Sequence, residues 1–309
     1  MLHHQLDWTD LKYFLELVRC GTISLAGDRL QVQHTTVARR IDKLERELNT
    51  VLFDRRRDGY ALTDAGKLLI PFAERMESAV IAAIDECVGS QHGESTVRIG
   101  TPEAFGAKIL ASSIPQLLER HHNIHVELMS QPQFPSLVSR EVEILVTMEP
   151  PEMGRYKIAR LVDVDYYLYA APAYLNDHDP IREIADIRDH RFIDYIHEGL
   201  VSERYGILKE VTPSPRRIFT ATSVLAQRQA AIAGAGLVLL APYVADPDGN
   251  ELVSLFPDRP MVTRSLWIAT PEDLFKTRRI RCVWEHVRDT VANHPSLGKK
   301  SSSRRPRAR

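Results

Sequence analysis

The stretch Gly21-Thr-Ile-Ser-Leu-Ala-Gly-Asp-Arg-Leu30, continued by Gln-Val-Gln-His-Thr-Thr-Val-Ala-Arg-Arg40 and Ile-Asp-Lys-Leu-Glu45, decides how this chain is read. It sets a small-residue turn among short amphipathic segments. Val37, Ile41, Leu44 and Leu48 recur at spacings of four, three and four, so at helical period they form one apolar stripe facing a core. On a helical wheel Thr35, Arg39 and Arg46 point directly away from that stripe, with Thr36 and Lys43 flanking them. Arginine and short hydroxyl side chains near a helix N-terminus are what a major groove requires, for base edges and phosphates respectively. Asp42, Glu45 and Glu47 interleave with the basic residues, so the helix by itself also fits a solvated face of alternating charge.

The residues just after this helix shift the balance. Phe53-Asp-Arg-Arg-Arg-Asp-Gly59-Tyr-Ala-Leu-Thr63 carries an Asp-Gly turn signal between apolar residues and reads as a two-stranded hairpin with three arginines at its base. A helix-turn-helix with a basic wing behind it fits a DNA duplex as one surface, the wing lying against backbone or minor groove. The candidate DNA contacts are Gln33, His34, Thr35, Thr36, Arg39, Arg40 and Lys43 on the second helix, with Arg55 and Arg56 on the wing.

From Leu11 to Gly66 the chain resembles the amino-terminal winged helix of LysR-type transcriptional regulators. The residues that carry the resemblance are Phe14, Gly21-Thr-Ile-Ser24-Leu-Ala26-Gly27, Leu30-Gln-Val32-Gln33-His34-Thr-Thr-Val37-Ala38-Arg39-Arg-Ile41-Asp-Lys-Leu44-Glu45, Leu52-Phe53-Asp-Arg55 and Leu62-Thr63-Asp-Ala-Gly66. Two positions depart from the pattern. Gly27 replaces the usual second alanine, at roughly 1 kcal/mol of helix propensity, and Gln33 replaces a better N-cap serine.

Thr63 is positioned to cap a long helix running to about Val88. Its apolar positions Ala65, Leu69, Phe72, Met76, Ala79 and Ala83 make a heptad-like seam, widened by Leu68, Val80, Ile84 and Val88. Pro71 lies inside and is expected to bend or weaken it. The family resemblance implies that this linker helix pairs two subunits, which assigns Phe72, Met76, Ala79 and Ala83 to dimerisation.

After the polar break Gly89-Ser-Gln-His-Gly93 the pattern alternates strand and helix. Strands are expected at Val97–Gly100, Ile124–Leu128, Val142–Val146, Val162–Ala170 and Arg264–Ala269, with a helix over Phe105–Arg120. Two crossings of the chain make two lobes with a cleft. The layout resembles the periplasmic-binding-protein-like effector domain of the same family. The expected architecture is thus an α/β multi-domain chain: a winged helix-turn-helix over 1–66, a dimerising linker helix over 67–90, and an effector domain over 91–295. Lobe I spans about 96–163 and 268–295, and lobe II about 164–267.

Small ligands of such sheets bind beyond the carboxyl ends of the strands, through loop hydroxyls and helix N-terminal amides. The candidates are Thr101, Ser130, Gln131, Thr147, Thr222 and Ser223, with Thr101 and Ser130 favoured by the resemblance. Ordinary helix capping explains such residues equally well. Glu103 either binds a cation or favours a helix N-terminus.

The remaining features narrow the function. A chain of 309 residues, 44% apolar and 26% charged, has material for two or three cores. Its net charge of −1 gives no global attraction to DNA, so binding must come from local patches. No apolar run is long enough for a membrane span and the start lacks a signal-peptide core, which places the chain in the cytoplasm. Cys20, Cys87 and Cys282 suit a reducing compartment and predict no structural disulfide. His121, His122 and His125 straddle a helix end and a strand start without metal-site context, and Gly234-Ala-Gly236 follows a helix instead of preceding one. No nucleophile elbow, phosphate loop or HExxH motif occurs, so neither an enzyme nor a cofactor is expected. The basic end Ser296–Arg309 reads as a disordered tail.

The function implied is a sequence-specific transcriptional regulator responding to a small-molecule effector, an anionic metabolite among the candidates. The family implies a homotetramer on two adjacent promoter sites, with RNA polymerase a candidate partner. The rival is an α/β small-molecule-binding protein or enzyme whose amino-terminal helices serve assembly alone.

Overall fold

The computed structural model describes residues 7–56, 59–88, 95–130, 137, 141–151, 154–196, 206–245 and 251–297. Gln131, the polar break over 89–94, Arg57 of the wing and the tail from 298 onward lie outside the described residues. The chain forms two compact units. The first comprises Met1–Ser95 with Ser136–Glu141 and Glu272–Arg278, the second Thr96–Pro135, Val142–Pro271 and Arg279–Arg309.

The first unit opens with α1 (Trp8–Cys20), whose N-cap Asp7 accepts from the Thr9 amide, and α2 (Ile23–Leu30), capped by the Thr22 hydroxyl. The next helix is α3 (His34–Leu48), where Gln33 makes no side-chain cap bond, as its chemistry predicts. Val37, Ile41 and Leu44 are buried with Leu11, Phe14, Leu15 and Leu17 of α1, each such side chain contributing about 2 kcal/mol by leaving water. Gly27 is a packing requirement: a Cβ there would stand 2.8 Å from the Val32 carbonyl oxygen and 3.3 Å from the His34 amide nitrogen. The tight approach of α2 to the start of α3 offsets the helix propensity it forgoes.

The wing is β1 (Phe53–Arg56) paired antiparallel with β2 (Gly59–Leu62). Arg56 pairs with Gly59, so Gly59 opens the return strand, and Arg55 and Arg56 sit beside the turn at the tip. The expectation of arginines at the hairpin base is corrected. Phe53 anchors that base, its ring 5.4 Å from Phe14 and 6.0 Å from Tyr60.

Helix α4 (Asp64–Val88) starts where Thr63 Oγ1 accepts from the Gly66 amide at 3.1 Å. Pro71 lies within it, and the carbonyl of Pro71 is engaged by Arg75 Nε. Ala65 and Leu69 pack on the winged-helix core, which removes them from the expected seam. Phe72 and Met76 are exposed at 57% and 43%, together with Leu68, Val80, Ala79 and Ala83. Arg19 ties α1 to α4 through two bonds to Glu77, at 3.1 and 2.7 Å.

In the second unit β3 (Ser95–Gly100) leads to a helical run made of α5 (Glu103–Phe105), a π turn (Gly106–Leu110) and α6 (Ala111–Arg120). There follow β4 (Ile124–Met129), β5 (Ile144–Thr147), the long β6 (Tyr156–Ala170), α7 (Pro172–Asn176), β7 (Arg191–Tyr195), α8 (Leu208–Val211) and β8 (Arg216–Ala221). Then come α9 (Val224–Ile232), β9 (Leu237–Leu240), α10 (Pro242–Ala245), β10 (Val253–Ser254), β11 (Val262–Pro271) and α11 (Arg278–Asn293). Gly234 and Gly236 form the turn between α9 and β9, as the order of helix and apolar run predicts.

One sheet of nine strands runs in the order β4-β3-β5-β11-β6-β9-β7-β8, with β10 on β6. β6 and β11 cross antiparallel, from Tyr156 opposite Pro271 to Tyr166 opposite Val262. The end of β11 pairs with β5, which is parallel to β3, while the end of β6 pairs with β9, which is parallel to β7. Two parallel halves therefore meet at a shared pair of long strands. Leu297, inside the expected tail, is buried and its amide donates to the His294 carbonyl.

Candidate functional site

On α3 the apolar stripe faces inward, so the opposite side is presented to solvent. Thr35, Arg39, Asp42, Arg46, Asn49 and Thr50 line an open concave surface there. Gln33, His34, Thr35 and Arg39 are exposed, and Thr36 is half-buried. Arg39 has no hydrogen bond or ion pair among the described residues. Its guanidinium is free to fork onto a base edge or phosphate.

Arg40 and Lys43 behave differently. The fully buried Asp10 accepts from Arg40 Nη1 at 2.9 Å and from Lys43 Nζ at 2.7 Å. Hydrogen bonding to Asp10 raises the pKa of both cations. A carboxylate removed from water needs paired cations, so these two side chains clamp α3 to α1. Of the expected DNA contacts these two are the ones engaged within the unit, and about a third of each side chain stays exposed. Asp10 escaped sequence reading because an acid in the first turn of a helix looks like ordinary dipole complementation.

Glu45 is a second internal tie. Its Oε1 accepts from the amides of Leu52 at 2.7 Å and Phe53 at 3.1 Å, fixing the entry into the wing. Arg55 and Arg56 are exposed at the tip of the wing, and Arg55 reaches Asp42 of α3. Wing and helix thus present one basic surface with an internal acid between them.

In the second unit, a cavity opens where the halves of the sheet meet. Its walls include Pro102 and Glu103 after β3, Met148 after β5, Tyr195 at the end of β7, and Ala241 and Tyr243 after β9. It therefore lies at the carboxyl ends of four strands, where open α/β sheets bind ligands. Tyr166, from the shared strand β6, and Val224, the first residue of α9, also face it. Burial pushes the phenol pKa of Tyr166, Tyr195 and Tyr243 well up, and Glu103 adds to the effect on Tyr195.

Glu103 and Ser223 are brought together across this junction. Glu103 Oε1 accepts from Ser223 Oγ at 2.8 Å, and Oε2 accepts from the Val224 amide at 2.9 Å. Of the two roles read for Glu103, helix N-terminal stabilisation is present, at α9 of the other half. Ser223 Oγ also caps the Ala226 amide.

The other candidates sit elsewhere. Thr101 is fully buried and its Oγ1 lies 3.1 Å from Ser130 Oγ. Both hydroxyls crowd Gly106, where a Cβ would meet them at 2.3 to 2.4 Å. Neither residue is on the wall of this cavity, and each hydroxyl has the other within hydrogen-bond distance beside the π turn. Thr147 accepts from the Glu149 amide, and Thr222 is away from the wall. The tyrosines were missed because each lies in a different element. The signal available was position: Tyr195 ends a strand and Tyr243 follows one, where the rule for parallel sheets looks for ligands.

Among the described residues no helix is long and apolar enough to cross a membrane, and Cys20 and Cys282 are free thiols. Residues 8–67 match the family model for the bacterial regulatory helix-turn-helix protein, lysR family, and residues 90–292 match the LysR substrate binding domain. The regulator CrgA of Neisseria meningitidis is 23% identical over 246 residues, covering 78% of this chain and 82% of its own length. PtxR of Pseudomonas aeruginosa is 22% identical over 302 residues, covering 95% and 96%. Full-length LysG of Corynebacterium glutamicum, solved with arginine bound as effector, superposes with a TM-score of 0.63 at 17% identity, covering 92% of this chain and 98% of LysG. With both domain models matched in order and the second alone spanning most of the chain, this protein belongs to the LysR family of transcriptional regulators.

Proposed function

We propose that the exposed face of α3 enters the major groove, with Arg39 reading a base edge and Thr35 and His34 on adjoining bases or phosphates, while Arg55 and Arg56 of the wing hold the backbone. The observation that carries this reading is the division of labour among the basic residues. Arg40 and Lys43 are consumed by buried Asp10, whereas Arg39 stands free on the concave surface. Two copies joined through Leu68, Phe72, Met76 and Val80 of α4 would set two reading helices at a fixed spacing. Two such dimers on adjacent sites make the tetramer that the family resemblance implies. The arginine held by LysG supports a small-molecule effector for the second unit. Effector binding then shifts the arrangement of the DNA-binding pair, which requires different affinities for two states. The regulator acts in the cytoplasm beside RNA polymerase and without catalysis of its own.

Selection of DNA from a random pool by the full chain tests the reading. A discrete, two-fold-related sequence is the expected product, and recovery of unselected DNA overturns it. Met76→Glu is expected to yield a monomer in sedimentation, because an unpaired charge is excluded from an apolar seam. An undiminished oligomer would remove α4 from the interface.

A further inference from the structure

Helix α4 runs unbroken from Asp64 to Val88, yet Pro71 has no amide hydrogen to give the Lys67 carbonyl one turn back, so the helix bends most easily there. Before this point α4 is seated on the winged-helix core by Ala65, Leu69 and Ile70. Beyond it Phe72, Arg75, Met76, Ala79 and Val80 face solvent. The helical period puts Ala73 and Glu77 on the same face as Ile70, and there the body of α1 to α3 meets α4 past the proline, at buried Ala73 and at Glu77. From Pro71 to Val88 the helix is a lever of about 26 Å, so a swing of about 10° at the proline moves its far end by about 4 Å, more than one base-pair step of about 3.4 Å.

The contact at Glu77 resists such a swing. Arg19 Nη1 and Nη2 donate to Glu77 Oε1 and Oε2 at 3.1 and 2.7 Å, a two-pronged pair that fixes direction as well as distance. The two side chains are 5% and 17% exposed, so salt and water loosen the pair less than one at the surface. Arg19 sits in the last turn of α1, where the helix dipole favours a cation, and Gly21 closes that turn in the left-handed conformation. Arg19 Nη1 also donates to Glu16 at 2.8 Å, and Arg29 of α2 stands 3.6 Å from the other Glu16 oxygen. One chain of charges therefore runs from α2 through α1 to the part of α4 that lies beyond the proline.

Resting on the pairing of two chains through α4, we propose that Arg19 and Glu77 are positioning residues: their pair splints the weak point at Pro71, sets the distance between the two reading helices, and thereby selects the operator half-site spacing that the protein accepts. Neither residue reads a base. They act through the direction in which α4 leaves the DNA-binding body. Ala73 offers a single methyl group, which keeps the helices close but lets them rock, and the forked pair one turn further removes that freedom.

The half-site recovered by selection from a random pool is built into two-fold-related pairs whose spacer is varied one base pair at a time, and each pair is titrated with the full chain in a mobility-shift assay. The parent is expected to lose roughly tenfold in affinity when the spacer departs from the best one by about two base pairs, because both readers can then no longer engage together. Glu77→Ala leaves Arg19 its bond to Glu16, so no buried cation is stranded. This variant should flatten the spacing penalty to roughly threefold or less while binding an isolated half-site within about twofold of the parent. Pro71→Ala gives the Lys67 carbonyl its missing donor, and added to Glu77→Ala it should bring the spacing penalty back. Damage to the fold alone would weaken every spacer equally and would not be reversed at the proline. Should Glu77→Ala fail to fold, Glu77→Gln keeps one acceptor for Arg19, loses the charged fork, and is expected to flatten the profile to an intermediate degree. An unchanged spacing profile in the folded variant, a uniform loss at all spacers, or a flattening that Pro71→Ala does not reverse overturns the proposal and leaves the pairing through α4 intact. A parent that selects a half-site but sediments as a monomer or shows no preferred spacing removes that pairing, and this proposal with it.

Discussion

In the winged-helix unit the carboxylates are turned inward: Asp10 holds Arg40 and Lys43, Glu45 holds two wing amides, and Glu77 holds the buried Arg19. Cations left over after this pairing, Arg39 above all, face solvent. In the α/β unit a cation is turned inward instead. Arg279 forks onto Glu143 at 2.6 and 2.8 Å and also donates to the Thr96 carbonyl, while Glu103 is left on a cavity wall. What each unit leaves on its surface is therefore set by which partner the core consumes, and a net charge of −1 hides the basic face of α3 and the wing.

The largest effect is expected at the inward-facing cation of the α/β unit. Arg279→Ala leaves the Glu143 carboxylate largely buried without its fork and removes one donor from the Thr96 carbonyl. Breaking a buried pair from one side costs about 3 to 5 kcal/mol. Urea unfolding monitored by tryptophan fluorescence measures it. A loss of only about 0.5 kcal/mol, the scale of a surface pair, would place Arg279 with the exposed ion pairs and remove half of the comparison.

The next test sets two neighbours on α3 against each other. Arg39→Ala is expected to weaken operator binding by about 1 to 3 kcal/mol with relaxed preference at one base pair and an unchanged unfolding midpoint. Lys43→Met should do the converse, lowering the unfolding midpoint because Asp10 loses one of its two cations. Quantitative footprinting alongside thermal unfolding separates the two outcomes. If Lys43→Met shifts base preference at unchanged stability, the clamp is also a reader and the inward-outward division fails.

Much of the first unit was legible because its chemistry is local. The stripe Val37, Ile41, Leu44 and the outward Arg39 lie on one helix, so helical period alone assigns their faces. What escaped there was tertiary: nothing in the spacing of Asp10 to Arg40 and Lys43 announces that helix packing brings them within hydrogen-bond reach. In the second unit the alternation of strands and helices pointed to the layered fold, and β6 contains the expected Val162–Ala170 in its second half. Its start at Tyr156 was hidden by Lys157 and Arg160, exposed residues that pairing with β11 still holds in a strand. The cavity wall draws on residues from Pro102 to Val244, and no local pattern links a tyrosine on β6 with one after β9. Hydroxyls near strand ends were visible, but a hydroxyl that lines a cavity and one that pairs with a buried neighbour look alike in sequence.

Thr101 tests that last distinction and carries the smallest expected effect. Its side chain is fully buried and its hydroxyl is within hydrogen-bond distance of Ser130, which is only half-buried. Valine keeps the shape and removes the oxygen, so Ser130 loses a partner that water can in part replace. The cost is expected at the low end for a lost bond, about 1 kcal/mol. Because Thr101 is not on the cavity wall, Thr101→Val should leave the effector-dependent shift of the operator footprint unchanged. Unfolding and footprinting on one preparation give both results. A variant of parental stability that no longer responds to the effector would return the Thr101 and Ser130 pair to the ligand site and move the site toward the π turn.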